Sequence, residues 1–329
     1  MLSRVAESLY WLARYIERAE DVTRLLAVNF NALLDAPLAD NGRGWRSSVA
    51  ITGDESLFAE VFGQAQTRAV IEFLLWHSLN PNAVMTCITR ARENARSVRE
   101  QISSEMWEHI NRLYFLIREV NRERVLDSPT EFFQKVRDGS QAFQGVAAAT
   151  MTHGEAYQFL QLGQYLERAD KTVRILDVQY TGVSAVPDGS AEAALLLIAL
   201  LRSCSAFEPF RRTPGLALTT ASVAEYLLLN HTFPRAVLFC VNRCVAALDA
   251  MDQSAAPLAA EFPRRALGRL SAELEYLDIR DVLGNRVDEF LNRLLVRLNA
   301  VGDDIARTYF NTRVILPSER PSQQQQQQQ

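Results

Sequence analysis

Apolar side chains recur at helical spacing along most of the chain. Over residues 3–34 they are separated by three, four or seven positions, and over residues 81–102 they step by four and three in turn, so each set lies on one helix face. The first set is Val5, Leu9, Leu12, Ile16, Ala19, Leu26 and Phe30, and the second is Val84, Ile88, Ala91, Ala95, Val98 and Ile102. No stretch shows sustained period-two alternation bounded by turn residues, so the pattern predicts an all-α protein.

Cap and turn residues predict where these helices start and where loops connect them. Asn80 before Pro81 predicts a helix start, because Asn caps well and proline suits the first helical position. The segments "SPTE" (128–131) and "THGE" (152–155) have the spacing of capping boxes. Loops are predicted near residues 35–53, 124–128, 181–190, 208–218 and 251–262.

The chain repeats itself after about 150 residues. "RYIERAEDVTRLL" (14–26) matches "QYLERADKTVRIL" (164–176), and "PNAVMTCITR" (81–90) matches "PRAVLFCVNR" (234–243) at an offset of 153. This period is far longer than that of a solenoid repeat. We therefore predict a multi-helix bundle of two internally duplicated halves, residues 1–150 and 151–316, related by pseudo-two-fold symmetry. The low-complexity segment 317–329 is predicted to be a disordered Gln-rich tail.

Both copies keep a stripe of two carboxylates and an arginine beside the apolar face. On a helical wheel the three residues of each stripe fall within about 60° of one another. The stripes consist of Glu17, Glu20 and Arg24 in the first copy and of Glu167, Asp170 and Arg174 in the second. Arg18 and Arg168 point to the other flank, and because neighbours at i,i+1 do not face each other, each Glu-Arg motif should make two separate contacts.

Three interpretations of the stripes remain open. The first is a solvated or half-buried ion-pair stripe, in which an i,i+4 pair contributes about 0.3–0.5 kcal/mol. The second is a buried network in which the Glu accepts from an arginine of segment 81–102 and of its mate, 234–250; such a network can fix register. The third is a ligand site, in which the arginines hold an anion or the carboxylates hold a metal, although no His stands at i+3 as in Glu-x-x-His sites. The metal ligands would be Glu17, Glu20, Glu167 and Asp170.

A second charged set lies in "TRARENARSVRE" (89–100). Arg92, Arg96 and Arg99 share a helix face and are possible contacts for a phosphate or a carboxylate. The alternative is a solvated face balanced by Glu93 and Glu100.

Composition excludes several classes of function. The net charge of −4 gives no overall basic field, and aromatic residues do not interleave with basic ones along the sequence, so we predict no nucleic-acid and no membrane partner. The charged N-terminal segment does not resemble a signal peptide, and the longest apolar run, 193–201, is too short to span a bilayer, so a cytoplasmic location is predicted. The four cysteines are predicted to be buried thiols. Known nucleophile, zinc and phosphate-loop motifs are missing, which predicts no cofactor and favours a protein that is not an enzyme.

Three segments in order resemble the bacterial alpha-E proteins. They are "MLSRVAESLYWLARYIERAEDVTRLL", "ARENARSVREQISSEMWEHIN" and "FPRAVLFCV". Such proteins are all-helical and are named for the Glu-Arg motif, which Glu17 and Arg18 carry here, and the resemblance covers residues 1–316. Where such proteins have Ser after the Pro-Arg of the third segment, this chain has Ala236 and lacks the hydroxyl.

The resemblance implies a genomic context rather than a reaction. Such proteins are typically encoded beside a circularly permuted ATP-grasp ligase, together with a transglutaminase-like cysteine protease or a proteasome-related peptidase. We therefore expect a non-catalytic accessory or scaffold protein of a system that makes or removes a peptide-like amide. The alternatives are a carboxylate–metal enzyme that uses the paired stripes and a purely structural helical protein.

Overall fold

The chain is all-α, as the hydrophobic pattern predicts. The computed structural model describes residues 1–35, 43–251, 261–282 and 287–310, and these form sixteen α-helices and no strand. The first eight are α1 (Ser3–Asp35), α2 (Arg43–Thr52), α3 (Glu55–Phe62), α4 (Thr67–Trp76), α5 (Val84–Ser97), α6 (Ser104–Glu119), α7 (Arg122–Asp127) and α8 (Thr130–Thr150). The others are α9 (Glu155–Ser184), α10 (Ala191–Ser203), α11 (Phe207–Arg212), α12 (Thr220–Leu229), α13 (Val237–Met251), α14 (Glu261–Glu275), α15 (Ile279–Val282) and α16 (Val287–Ile305), which continues into a π-helical turn, Ala306–Phe310.

Two long helices, α1 and α9, form the centre of the fold and pack on each other. Each is about 45–50 Å long at 1.5 Å per residue. The predicted apolar stripe of α1 lies in the core, where Leu9, Leu12 and Ile16 are almost wholly buried. Helix α9 is buried on nearly all sides, including at its charged positions. Charged groups in such a place require partners, because an unpaired buried charge is costly.

The surrounding helices follow the same order around both central helices. Helices α5 and α8 pack on α1, and α13 and α16 pack on α9 in the same way. Helix α2 reaches across to α9, and α10 reaches across to α1. The predicted duplication into 1–150 and 151–316 remains our interpretation of this order. The predicted Gln-rich tail, 317–329, lies outside the described residues.

The central helices are in close backbone contact at Gly163. A Cβ atom added there would lie 2.1 Å from the carbonyl oxygen of Tyr10 and 3.3 Å from the Cβ of Ala13. Only a residue without a side chain fits this contact, because the backbone of α1 cannot turn aside as a flexible side chain would. In the sequence repeat Gly163 corresponds to Ala13 itself, so a pair of small residues forms the crossing.

Several predicted helix boundaries are wrong. Helix α5 begins at Val84 rather than at Pro81, because the Asn80 side chain instead forms a turn that accepts from the Asn82 amide. Helix α8 starts at Thr130, after Pro129 as N-cap, and α9 starts at Glu155, so neither predicted capping box forms. Helices α2, α7 and α11 occupy parts of predicted loops. Short helices covered by tertiary contacts leave little periodic signal in a sequence.

Every described helix falls short of the combined length and apolar character that a bilayer-spanning segment requires.

Candidate functional site: two buried charge clusters on the central helices

The two Glu-Arg motifs pair reciprocally across the contact between α1 and α9. Arg168 donates from Nε to Oε1 and from Nη2 to Oε2 of Glu17, each over 2.8 Å. Arg18 donates in the same two-pronged way to Glu167, over 2.6 and 2.9 Å. Each glutamate therefore binds the arginine of the other motif and not its own neighbour. Both glutamates are fully buried. Such bidentate pairs fix both the distance and the orientation of the two helices.

Further arginines surround Glu17 and its acidic neighbours Glu20 and Asp21. We define the α1 cluster as Glu17, Glu20, Asp21, Arg24, Arg168 and Arg235. Arg235 donates from Nη1 to Glu17 and Asp21, each over 2.8 Å, and from Nη2 to Glu20 over 2.6 Å. Arg24 donates to Glu20 over 2.7 Å and also to Asp21. Three guanidinium groups thus balance three carboxylates.

This environment separates the acidities of the three carboxyl groups. Burial by itself raises the pKa of Glu17, but the charges of Arg168 and Arg235 outweigh it and hold that pKa at about 2. The same opposition, with Arg235 and Arg24 as the cations, lowers the pKa of Glu20. For Asp21 burial prevails and raises the pKa to about 6, despite Arg235 and Arg24. Its Oδ2 atom is buried and accepts no hydrogen bond.

Asp21 should therefore give the protein a measurable pH dependence. Its pKa is higher in the folded state than the ordinary value of 3.8, so its contribution to stability is complete below about pH 4 and is lost as the pH rises through about 6. One unit of pKa is worth about 1.4 kcal/mol. Relative to Asp21→Asn, the wild type is expected to lose about 1–3 kcal/mol of unfolding free energy between pH 4.5 and 7.

Urea unfolding followed by circular dichroism at half-unit pH steps measures this difference. Glu17 has the opposite effect, because its pKa is lowered: stability falls as the pH drops from about 4.5 towards 2 and Glu17 becomes protonated. This change lies below the range of pH 4.5–7 and is common to both proteins. Parallel stability curves for the two proteins between pH 4.5 and 7 would contradict the role of Asp21.

The second cluster surrounds Glu167. We define the α9 cluster as Glu167, Asp170, Lys171, Arg174, Arg14 and Arg18. Arg14 donates from Nε to Glu167 over 2.7 Å, so that Arg14 and Arg18 together hold this carboxylate. Burial raises the pKa of Glu167, but Arg18 and Arg14 outweigh it and place the pKa well below its ordinary value. Glu167 is therefore ionised at any physiological pH.

The described geometry makes the paired Glu-Arg motif the central feature of the molecule. A family model for a predicted alpha-helical domain with a conserved ER motif, named Alpha-E, matches residues 1–310. The chain belongs to the Alpha-E family. This confirms the resemblance seen in the sequence.

Curated relatives of this Alpha-E chain come from mycobacteria. Uncharacterized proteins of Mycobacterium bovis and of two strains of Mycobacterium tuberculosis are 23% identical to it over 344 aligned positions, which include 95% of this chain. The alignment includes only 37% of each relative, so the chain spans little more than a third of their length. No solved structure matches the chain.

The three carboxylates of the α1 cluster do not suit a divalent cation. Glu17, Glu20 and Asp21 each offer an oxygen within 4.8 Å of the others, but each of these carboxylates already accepts from two guanidinium groups. A cation would have to displace arginines that cannot lose their charge. The alternative metal set included Glu167 and Asp170, and neither joins such a group among the described residues. That set is not brought together by the fold.

Sequence reasoning missed Asn82 and Gln144, which contact the Glu-Arg motifs, and it reached Arg235 only as an unspecified arginine of segment 234–250. Arg235 lies just before α13, and its position in the first half is taken by Asn82, which accepts from Nη1 of Arg18 over 2.9 Å. Gln144 of α8 donates to Glu17 over 2.7 Å. The repeated Pro-x-Ala-Val segment shows that Asn82 and Arg235 occupy equivalent positions. It does not show which residue either of them contacts, because a residue just before a helix is not part of the helical periodicity. The sequence does not show the target of Gln144 either.

Two of the predicted anion contacts, Arg92 and Arg99, pack against aromatic rings of α6, but Arg99 lies beyond the end of α5 at Ser97, so the three arginines do not share one helix. The guanidinium carbon of Arg92 lies 4.7 Å from the ring centre of Tyr114, and that of Arg99 lies 4.6 Å from Trp107. Arg96 is exposed and pairs with Glu93 over 2.6 Å. These arginine–aromatic contacts join segments that are distant in the sequence, so they are not visible in the linear order of the residues. Anion binding by these arginines remains a prediction.

Proposed function

We propose that this Alpha-E chain is a non-catalytic accessory protein, a helical scaffold that serves a bacterial peptide or amide ligation and peptidase system. The observation that carries the proposal is the reciprocal pairing of Glu17 with Arg168 and of Glu167 with Arg18. The most distinctive polar groups of the family are used to join the two central helices, and so they are not available to a substrate.

The chemistry of these groups supports a structural role. A general base works best when its pKa lies near the operating pH, and the pKa of Glu17 is about 2. Neither Glu17 nor Glu167 has exposed surface from which it could reach a reacting atom. The buried thiols are equally unsuited to nucleophilic attack, because burial raises the pKa of Cys87 to about 11 and that of Cys204 to about 12.

The proposed partners follow from the family resemblance. They are an ATP-grasp ligase and a transglutaminase-like protease or a proteasome-related peptidase, met in the cytoplasm. The curated relatives are much longer than this chain, which suits a module that works beside other polypeptide segments. Two rigid central helices with many short surface helices would present a stable docking surface to such enzymes.

A crosslinked pull-down from the native bacterium tests the proposal. The tagged wild type is expected to enrich a ligase or peptidase of this kind over a tagged unrelated helical protein, as identified by mass spectrometry. A folded Glu17→Gln/Glu167→Gln variant would show whether partner binding needs the ion pairs. Failure to enrich any such enzyme would contradict the accessory role.

Metal analysis separates the proposal from the enzyme alternative. Protein purified without chelators is expected to hold far less than one equivalent of any divalent metal, because two arginines already bind each carboxylate of the α1 cluster. A stoichiometric metal that is lost in Glu17→Gln would instead favour a carboxylate–metal enzyme.

A further inference from the structure

We propose that the α9 cluster binds a phosphate group between the ammonium of Lys171 and the guanidinium of Arg174, and that the O–H of this phosphate donates a hydrogen bond to Asp170. This site is independent of the partner proposal. It rests on the difference between two clusters that occupy equivalent places on α1 and α9.

The first difference is charge. The α1 cluster is balanced, whereas the α9 cluster contains four cations and two carboxylates. In the sequence repeat Lys171 stands where the first half has Asp21, which accounts for the excess. One further carboxylate, that of Asp54, lies near the α9 cluster without touching its cations. Asn82 stands between them, since it donates to Asp54 and accepts from Arg18. No other described carboxylate lies within 4 Å of the four cations, although Asp177 interacts with Arg174 at longer range. An excess of buried positive charge favours an anion.

The second difference is an unsatisfied ammonium group. The side chain of Lys171 is only 6% exposed, and its nearest carboxylate oxygens, on Asp170 and Glu167, lie at 3.9 and 4.0 Å. It donates no hydrogen bond to any of the described residues, although an ammonium has three donors. Burial lowers its pKa, and the two carboxylates only partly oppose this. An acceptor that enters between these groups would satisfy the donors.

The third difference is an arginine with free donors that opens toward solvent. Arg24 is 2% exposed and uses Nε, Nη1 and Nη2 to bind Ser203, Ser205 and the carboxylates of Glu20 and Asp21. Its counterpart Arg174 is 30% exposed and donates only from Nε, to Asp170 over 2.8 Å. Within the described part of the chain, its Nη1 and Nη2 atoms have no acceptor. Lys171 and Arg174 share a helix face at i,i+3.

Asp170 selects the kind of anion. Its Oδ1 atom is buried and accepts no hydrogen bond, whereas Oδ2 binds Arg174. An anion without a proton would be repelled by this oxygen. A hydrogen phosphate, or a phosphomonoester that retains its proton, can accept from Lys171 and Arg174 and donate its O–H to Asp170. Sulfate has the same shape but no proton near pH 7, so the site should discriminate between the two ions.

The lysine content of the chain allows a direct test. Lys135 and Lys171 are the only lysines, so the full chain labelled with ¹³Cε-lysine gives two signals, which Lys135→Arg assigns. On titration with inorganic phosphate at pH 6.5 and constant ionic strength, we expect a saturable shift of the Lys171 signal. The signal of Lys135, which is 54% exposed on α8, should not shift. Sulfate should bind at least tenfold more weakly.

Two variants complete the test. Arg174→Gln is expected to weaken phosphate binding at least tenfold, as the loss of a charge-assisted contact does. Arg280→Gln removes an equally charged side chain that is 83% exposed and lies outside the α9 cluster, so it should leave the affinity unchanged. The proposal is overturned if Lys171 shows no saturable shift up to about 50 mM phosphate, far above specific affinities. It is also overturned if sulfate binds as well as phosphate, or if Arg174→Gln has no effect in a folded protein.

Discussion

Replacing Glu17 with Gln is expected to lower the free energy of unfolding by about 3–5 kcal/mol, the typical cost of breaking a buried ion pair. The neutral amide would leave Arg168 and Arg235 in the core with less opposing charge than they need. Both arginines are nearly buried, with 8% and 11% of their side chains exposed, so water cannot replace the lost carboxylate. Urea unfolding at pH 7 measures the change.

A surface carboxylate provides the matched control. Glu131 pairs with Lys135 at i,i+4 on α8 and is 72% exposed, so Glu131→Gln should leave the unfolding midpoint unchanged. A second arm combines Glu17→Gln with Arg168→Met. Because both changes remove the same contact, the double variant should be more stable than the sum of the two losses predicts, by about 1–3 kcal/mol. Equal effects of Glu17→Gln and Glu131→Gln would show that the Glu-Arg pairing does not stabilise the fold.

Replacing Gly163 with Ala is expected to destabilise the protein by about 2–4 kcal/mol, at or above the usual cost of overpacking. The new methyl group would overlap the carbonyl oxygen of Tyr10, so α1 and α9 would have to move apart. The reciprocal ion pairs lie on the same two helices, and they would lengthen with this movement. Thermal and urea unfolding both report the loss.

Gly182 is the control for Gly163 because it lies in the same helix. A Cβ added at Gly182 meets nothing within 4 Å, so Gly182→Ala should be neutral or stabilising by up to about 1 kcal/mol through helix propensity alone. If Gly163→Ala unfolds at the same temperature and urea concentration as the wild type, the close contact between the central helices does not limit stability.

Local structure was largely readable from the sequence. The apolar stripe of α1 predicted the buried positions Leu9, Leu12 and Ile16, because helical periodicity is a property of neighbouring residues. Helix starts were read less well, and Asn80 illustrates why. Its side chain satisfies a turn amide before α5 rather than capping the helix, a choice that neighbouring segments decide.

The sequence by itself identified the polar positions of the site. Self-similarity singled out Glu17 and Arg18 together with Glu167 and Arg168, since both copies keep them while residues around them change. It also showed the one substitution on which the phosphate site depends, Lys171 in place of Asp21. None of this required knowledge of the fold.

Only the tertiary structure decided what those positions do. Glu17 binds Arg168, which is 151 residues away, and Arg235, which is 218 residues away. Whether a carboxylate faces water, a metal or a guanidinium depends on which helix covers it, and periodicity contains no information on that choice. The chain therefore determined its helices and its motif locally, whereas the crossing of α1 and α9 determined that the motif is a reciprocal pair of buried ion pairs.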